Sequence, residues 1–372
     1  MKYEGKTMKK VLFATTALVA IAGVAAAEVT VTGSAEMGIA SSDTLTAPGT
    51  GVANAIVTTT EGFFTTADIR FTMSGEADNG LTFGAVIDLE DATEQSNNVD
   101  VLNGTADYNV FISGDFGTLT MGDTDGALDW AMTEAGNVGN PGTIADDETA
   151  HAGYQGSYGD DINSGQILRY DYTIGDFGIA LSVEGPDDND MGYAIGFRYG
   201  FDFAGGRLNL GAGYQSAQTQ NGRVAPNGLV GTALDIVGGG DGIDSATAGT
   251  GDGLRNSTFA AGTDIDIAGL SATVVLDNGF SAGLQYAQWE IGTQDVDHTA
   301  VGFGYSFDAI SVHMNYGQFD IDNGPTISGY GLAAAYDFGG GLSAHVGYGS
   351  SDFDTTGLPD VDSFSFGLAM SF

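Results

Sequence analysis

Apolar residues recur at every second position along nearly the whole chain, the period of β-strands whose two faces meet different surroundings. In residues 29–40 the odd positions are Val29, Val31, Gly33, Ala35, Met37 and Ile39, and the even ones Thr30, Thr32, Ser34, Glu36, Gly38 and Ala40. The same alternation marks 63–74, 81–89, 106–113, 118–122, 166–174, 179–184, 192–201 and 208–216. It continues in 268–276, 280–291, 298–307, 310–319, 327–338, 342–349 and 362–372, which makes sixteen segments.

The connections sort by length. Short turns fall at 75–80, 114–117, 175–178, 202–207, 277–279, 308–309 and 339–341. Longer connections alternate with them, at 41–62, 90–105, 123–165, 185–191, 217–267, 292–297, 320–326 and 350–361. Seven short turns and eight long loops predict sixteen antiparallel strands with both termini on one side. A transmembrane β-barrel has that arrangement, with short periplasmic turns and longer external loops. A soluble sandwich has no reason to sort its loops by side. Within 217–267 the alternation changes parity between 259–267 and 270–276, which an extra hairpin or a bulge near Ala268-Gly269 would explain.

The last segment separates its faces most cleanly. Phe364, Phe366, Leu368, Met370 and Phe372 share one, and Ser363, Ser365, Gly367, Ala369 and Ser371 the other. Too few thick apolar elements exist to cover a sixteen-stranded sheet in water. A closed barrel in lipid needs no cover, because it satisfies every backbone group between strands. Aromatics also gather at the turn-proximal strand ends, Tyr199, Phe201 and Phe203, Tyr305 and Phe307, Tyr336 and Phe338, as an interfacial girdle would.

Residues 8–27 read as a secretory signal: Lys9 and Lys10, an apolar core, then Ala25-Ala26-Ala27 before Glu28. Cleavage is expected between Ala27 and Glu28, so that 1–27 is removed and 28–372 forms the barrel. An uncleaved anchor fits less well, since the apolar core is short and runs straight into the cleavage site. No later stretch is long and apolar enough for a membrane-spanning helix. The leader takes all four Lys and one acid, Glu4, leaving six Arg against 48 Asp and Glu, a formal charge of −42. Such a chain does not grip nucleic acid, which needs cations to displace counterions. With no Cys there is no disulfide and no thiolate metal site.

The start EVTVTGSAEMGIA (28–40), the turns containing Asp-Phe-Gly and the ending SFSFGLAMSF (363–372) together resemble the general porins of Gram-negative bacteria, the alphaproteobacterial porins in particular. The resemblance spans nearly all of 28–372. It implies a sixteen-stranded barrel in the outer membrane, in contact with outer-membrane lipid and lipopolysaccharide, usually a homotrimer, passing small hydrophilic solutes by diffusion. The terminal Phe372 looks like the signal read by the barrel-assembly machinery. A third external loop folded inward to narrow the pore is also implied, and by position that loop is 123–165. It carries Asp125, Asp129, Glu134, Asp146, Asp147 and Glu148. An ordinary solvated acidic loop is the plainer alternative.

Strand parity assigns side chains to the lumen. With Ile69, Phe71 and Met73 toward lipid, Asp68 and Arg70 point inward; with Leu168, Tyr170 and Tyr172 outward, Arg169 and Asp171 point inward. Arg198 lies opposite the row Tyr193, Ile195, Phe197, Tyr199 and Phe201. Arginine facing lipid at the midplane would cost about 2–4 kcal/mol, so the inward parity of all three is self-consistent. The expected arrangement sets Arg70, Arg169 and Arg198 across from the acids of 123–165, giving a transverse field; pairing of each Arg with a neighbouring acid is the alternative. Glu36, Asp88, Asp107 and Glu184 are inward too, so acids outnumber Arg and weak cation selectivity is expected. A substrate-selective pore or a non-conducting structural or adhesive barrel are the other readings.

No cofactor is required by this chemistry. The Gly/Asp-rich stretch 238–253 and the acidic loops leave room for a loosely held divalent cation such as calcium. Enzyme signatures, a G-x-S-x-G elbow, H-E-x-x-H or a phosphate loop, are absent from the sequence. His298, His313 and His345 fall on inward parity, and His151 in the third loop, as ordinary wall residues would.

Overall fold

The computed structural model describes residues 28–46, 56–89, 106–146, 148–154, 166–185, 191–218, 262–322, 324, 326–353 and 359–372. Residues 1–27, where a signal peptide is expected, and the stretch 238–253 lie outside the described residues.

Sixteen strands form one closed antiparallel barrel, each paired with its chain neighbours and β1 completing the ring against β16. They are β1 (Glu28–Thr46), β2 (Ile56–Glu76), β3 (Thr82–Leu89), β4 (Ala106–Gly114), β5 (Gly117–Gly122), β6 (Ile167–Ile174), β7 (Phe177–Glu184) and β8 (Gly192–Phe203). The second half comprises β9 (Gly206–Gln218), β10 (Asp264–Leu276), β11 (Phe280–Ile291), β12 (Gln294–Phe307), β13 (Ile310–Ile321), β14 (Thr326–Gly339), β15 (Leu342–Asp352) and β16 (Val361–Ser371). At the seam the backbone of Phe372 donates to Gly33 O at 2.8 Å, and the ladder runs on through Gly38↔Gly367 to Ser42↔Ser363. Closure removes the sheet edges that hydrocarbon would not tolerate.

The outward face is apolar, as the alternation requires. Phe63, Ile69, Leu168, Tyr193, Leu270, Leu284, Phe303, Leu332 and Phe366 are all exposed on it. The girdle aromatics lie exposed at the short-turn end, with Tyr199–Phe201, Phe201–Phe203 and Tyr336–Phe338 in ring contact. The seven short turns close as expected. Gly339, Gly340 and Gly341 all take positive φ (82°, 68° and 87°), a region closed to most L side chains, which is why three glycines stand there. The two Gly-Asp-Phe-Gly turns differ in register: Asp115-Phe116 forms the first, Gly175-Asp176 the second.

Three expectations about connections need correction. The stretch 292–297 is not a long loop: β11 and β12 are joined by Gly292-Thr293 alone, and Ile291 pairs Gln294. The stretch 41–62 is mostly strand, since β1 and β2 stay paired as far as Thr46↔Ile56. No bulge occurs near Ala268-Gly269, because β10 pairs β9 and β11 without a register shift. The parity change there is a change of surroundings. At the loop end Ile265 and Ile267 point inward and are buried with Trp289, Ile291 and Phe319, whereas Leu270, Ala272 and Val274 face outward. An extra hairpin in 217–267 would fall on 219–261, outside the described residues.

Strand heights differ around the ring. β3 to β7 have six to nine residues each, against 11 to 21 for the other strands. The barrel therefore has one low wall.

Candidate functional site

The connection after β5 turns into the barrel and runs along its inner wall. It holds a short helix, α1 (Ala127–Ala131), and a 3-10 turn over Ala135–Asn137. Both are too short to be stable alone. Their positions come from the wall, whose polar side chains take up loop backbone groups that would otherwise be buried unpaired. Ala127 N–H donates to Ser182 Oγ (2.8 Å), Thr133 N–H to Ser271 Oγ (2.9 Å), Ala135 N–H to Gln285 Oε1 (2.5 Å) and Ala152 N–H to Ser351 Oγ (2.9 Å). In the other direction, loop carbonyls accept from wall side chains. Val138 O accepts from His313 (3.1 Å), Gly142 O from His345 (2.9 Å), Thr149 O from Asn315 (2.7 Å) and Gly153 O from His298 (3.0 Å).

Where the loop lies flat, the wall carries glycine. A Cβ on Gly196 or Gly302 would sit 1.8 Å from the carbonyl oxygen of Ala127 or Ala135. Ile144, farther along, packs over Gly38 and Gly367 on the closing strands. The loop thus spans the inner face from β7 round to β1. Beneath it the inward polar residues Gln215, Thr273, Gln285 and Asn315 are buried. Inward residues on the other side, including Thr32, Ser34, Arg70, Thr82 and Asp107, remain exposed. The accessible lumen among the described residues follows β1 to β6.

Charges on that side form two groups. Near the loop root, Arg169 bridges Asp171 (3.4 Å) and Asp125 (3.7 Å), and its Nη1 donates to Asp125 O at 2.7 Å. Beside it the Arg198 guanidinium lies 3.7 Å over the ring of Trp130, which packs against Gly178. Near the loop tip, Asp146 stands within electrostatic reach of Glu36 on β1 and Asp68 on β2. Ser34 donates to Asp68 (3.0 Å), and Arg70 pairs Asp88 at 3.3 Å. Burial raises the Asp146 carboxyl above its usual range, with Glu148 and Asp68 adding to the rise, while a backbone hydrogen bond from Thr143 and the nearby His345 oppose it.

The family model for Gram-negative porins matches residues 14–356. This chain belongs to that porin family. It is accordingly a multi-pass outer-membrane protein of a Gram-negative bacterium. Among its relatives is a porin of Rhodobacter capsulatus, 28% identical over 314 residues, 81% of this chain and 90% of the relative. A porin structure refined at 1.8 Å resolution covers 93% of this chain and all of its own at a TM-score of 0.57 and 21% identity. A Vibrio cholerae outer membrane protein, OmpT lacking loop L8, covers 93% of this chain and all of its own at a TM-score of 0.59 and 12% identity.

Of the residues that parity assigned to the lumen of this porin, Arg70, Arg169, Arg198, Asp68 and Asp171 all stand on the face away from the exposed apolar rows. The arginines do not gather opposite the loop acids: Arg169 and Arg198 lie against the loop's own root, and Arg70 pairs with a neighbouring wall acid. Asp125 is exposed, and Asp129 lies in the first turn of α1. Glu134 accepts from Tyr154 Oη (2.5 Å) and from Asn137. Glu148 is 1% exposed, turned from the loop onto the wall, where it accepts from Thr143 (2.5 Å) and lies against Gly347 and Gly349. Asp147 lies outside the described residues.

The wall anchors and Trp130 were not foreseen. A signal for them exists in the porin sequence. Gly-X-Gly recurs at 211–213, 302–304, 329–331 and 347–349, each time with both glycines inward and the middle residue (Ala212, Phe303, Tyr330, Tyr348) outward. A strand bare of side chains on its inner face is one against which another backbone lies.

Proposed function

We propose that this porin forms a water-filled channel for passive diffusion of small hydrophilic solutes and ions, narrowed by the loop 123–165, with a weak preference for cations. The supporting observation is the division of the inner wall into a half covered by the loop and an accessible half lined by Thr, Ser, Asp and Arg. Glu36, Asp68, Asp88, Asp107 and Asp171 on the accessible half face three arginines, Arg70 and Arg169 beside them and Arg198 on β8 at the edge of the loop. Two of those arginines are engaged by carboxylates and the third by Trp130. Negative charge therefore dominates the path, and rings of charge sort ions by sign.

The test is planar-bilayer conductance of the mature protein under a salt gradient. Ohmic steps with a cation-selective reversal potential support the reading, and an anion-selective potential sinks the charge argument. A folded, heat-modifiable barrel without steps would favour the structural or adhesive alternative. Steps grouped in threes would support the homotrimer, for which the low wall β3–β7 is the side we assign to the neighbour. Removal of 1–27 is tested by N-terminal sequencing, with Glu28 expected first. Loose binding of a divalent cation by the external loops is tested by calcium titration of the heat-modification temperature. We take the chain to be a channel without catalysis. Ser343 Oγ lies 2.7 Å from His345 Nε2, and the other ring nitrogen of His345 donates to the Gly142 carbonyl; we read this histidine as a loop anchor.

A further inference from the structure

The hairpin of β1 and β2 is the tallest in the barrel, with strands of 19 and 21 residues, and β2 outgrows its other neighbour. β1 has a strand on both sides as far as Ser42↔Ser363, but β2 meets β3 no higher than Ile69↔Leu89. From Ile56 to Asp68 its one strand partner among the described residues is β1. The pairing fixes which backbone groups are left over. Gly33 exchanges both of its bonds with Phe372 beside β16, so odd residues of β1 bond toward β16 and even ones toward β2. With Ser34↔Asp68 and Gly38↔Phe64 in register, even residues of β2 bond to β1. The backbone N–H and C=O of Val57, Thr59, Glu61, Phe63, Thr65 and Ala67 therefore point away from β1, and among the described residues none of them meets a partner there.

Part of this edge stands beside lipid. Phe63 pairs Ile39, which pairs Phe366, and Thr65 pairs Met37, which pairs Leu368. Ile39, Met37 and Phe366 are exposed members of the outward apolar rows, and Phe63 itself is 96% exposed. Hydrocarbon offers neither donor nor acceptor, so lipid cannot complete a bare edge. Access to the edge is open because β3 to β7 end below it. Every copy in the membrane carries the same edge, so the partner is needed in equal number, as a second copy of the chain always is. The edge also adjoins the low wall assigned above to the neighbour, whose outward Phe83, Tyr108, Val110 and Leu119 are exposed.

We propose that the free edge of β2 over residues 57–67 is an inter-protomer surface. A second copy of this chain leans across the low wall and supplies the hydrogen-bonding groups that complete the edge, with Phe63 buried at the contact. The inference deepens the homotrimer reading and rests on it. The barrel closes without the edge, so the edge governs assembly and leaves conduction to the lumen.

Thr65→Pro removes an edge-facing N–H and no bond between β1 and β2, a position at which a strand tolerates proline. Thr65→Val keeps the N–H and serves as the control. Unheated electrophoresis and sedimentation in mild detergent report the oligomer, and the heat-dependent mobility shift of the protomer reports the closed barrel. Wild type and Thr65→Val are expected to stay oligomeric. Thr65→Pro is expected to lose at least about threefold of its oligomer at limiting concentration while the protomer keeps its shift. In bilayers it should give single conductance steps of unchanged size in place of grouped ones. An oligomer equally stable in Thr65→Pro would overturn the edge and leave the homotrimer reading standing. A monomeric wild type would overturn both, and the steps would still test the channel reading. Should Thr65→Pro fail to close its barrel, a benzoylphenylalanine photocrosslinker in place of Phe63 is read instead. Irradiation in outer-membrane vesicles is expected to join two protomers. Adducts confined to lipid, or to residues of the same protomer such as 90–105, would overturn the proposal.

Discussion

The glycines under the loop are constrained by what they touch. Gly302→Ala brings a methyl group to 1.8 Å from the carbonyl oxygen of Ala135, a backbone atom that cannot turn away. Overpacking of this kind costs about 1–3 kcal/mol. The variant is expected to lower the heat-modification temperature and alter conductance together. Gly62→Ala is the control, since its Cβ meets nothing within 4 Å, and it should leave both unchanged. Titration at two loop residues acts with opposite signs. His151 drops to about 3 in the fold, so its contribution to stability is complete above its ordinary range near 6.5 and is lost as pH falls from there through the folded value. Asp146 is raised, so its ionisation opposes the folded loop as pH rises through the carboxylate range. Asp146→Asn should therefore stabilise the protein at neutral pH and matter little in acid, which thermal melts at the two pH values would show.

Elements here stand because of their partners. The helix α1 is five residues long with no side-chain N-cap, and stays in place because Ser182 takes its first N–H and Arg198 stacks on Trp130. Removing the stack by Trp130→Ala should loosen the loop root by about 0.5–2 kcal/mol. In bilayers this should appear as noisier current with little loss of barrel stability, because none of the strand ladders is touched. Equal losses in the loop and in the heat-modification temperature would refute that separation. All sixteen strands were legible in the alternation, and so was the inward side of Arg70, Arg169 and Arg198, because a pleated strand sends successive side chains to opposite faces wherever it is. The 292–297 connection and the start of β10 escaped the pattern for one reason. Near the loop ends the strands rise past the lipid band, outward residues become polar (Asp295, Asp297), and the alternation that marks a strand in hydrocarbon fades.

At the scale of the whole molecule, the acidic bias should be measurable as selectivity. Glu36→Gln with Asp68→Asn removes two of the five acids on the accessible wall and is expected to shift the reversal potential toward zero; an unchanged potential would mean that selectivity is set elsewhere. Screening predicts the same trend with salt, the preference shrinking as ionic strength shortens the Debye length from about 10 Å at 0.1 M to about 3 Å at 1 M.

Class of fold, strand number and the two faces were determined by the sequence alone, because they depend on a period-two pattern read a few residues at a time and on the rule that lipid admits no open sheet edge. So was the membership of residues 123–165 in one long connection. Tertiary structure alone decided where that connection goes. Its anchors lie far along the chain, 55 residues away for Ser182 and 203 for His345, and they reach one loop only because ring closure sets β7 through β16 around it. No local period encodes a contact of that kind. It left its trace only in inward glycines and scattered polar side chains whose common purpose appears once the barrel is closed.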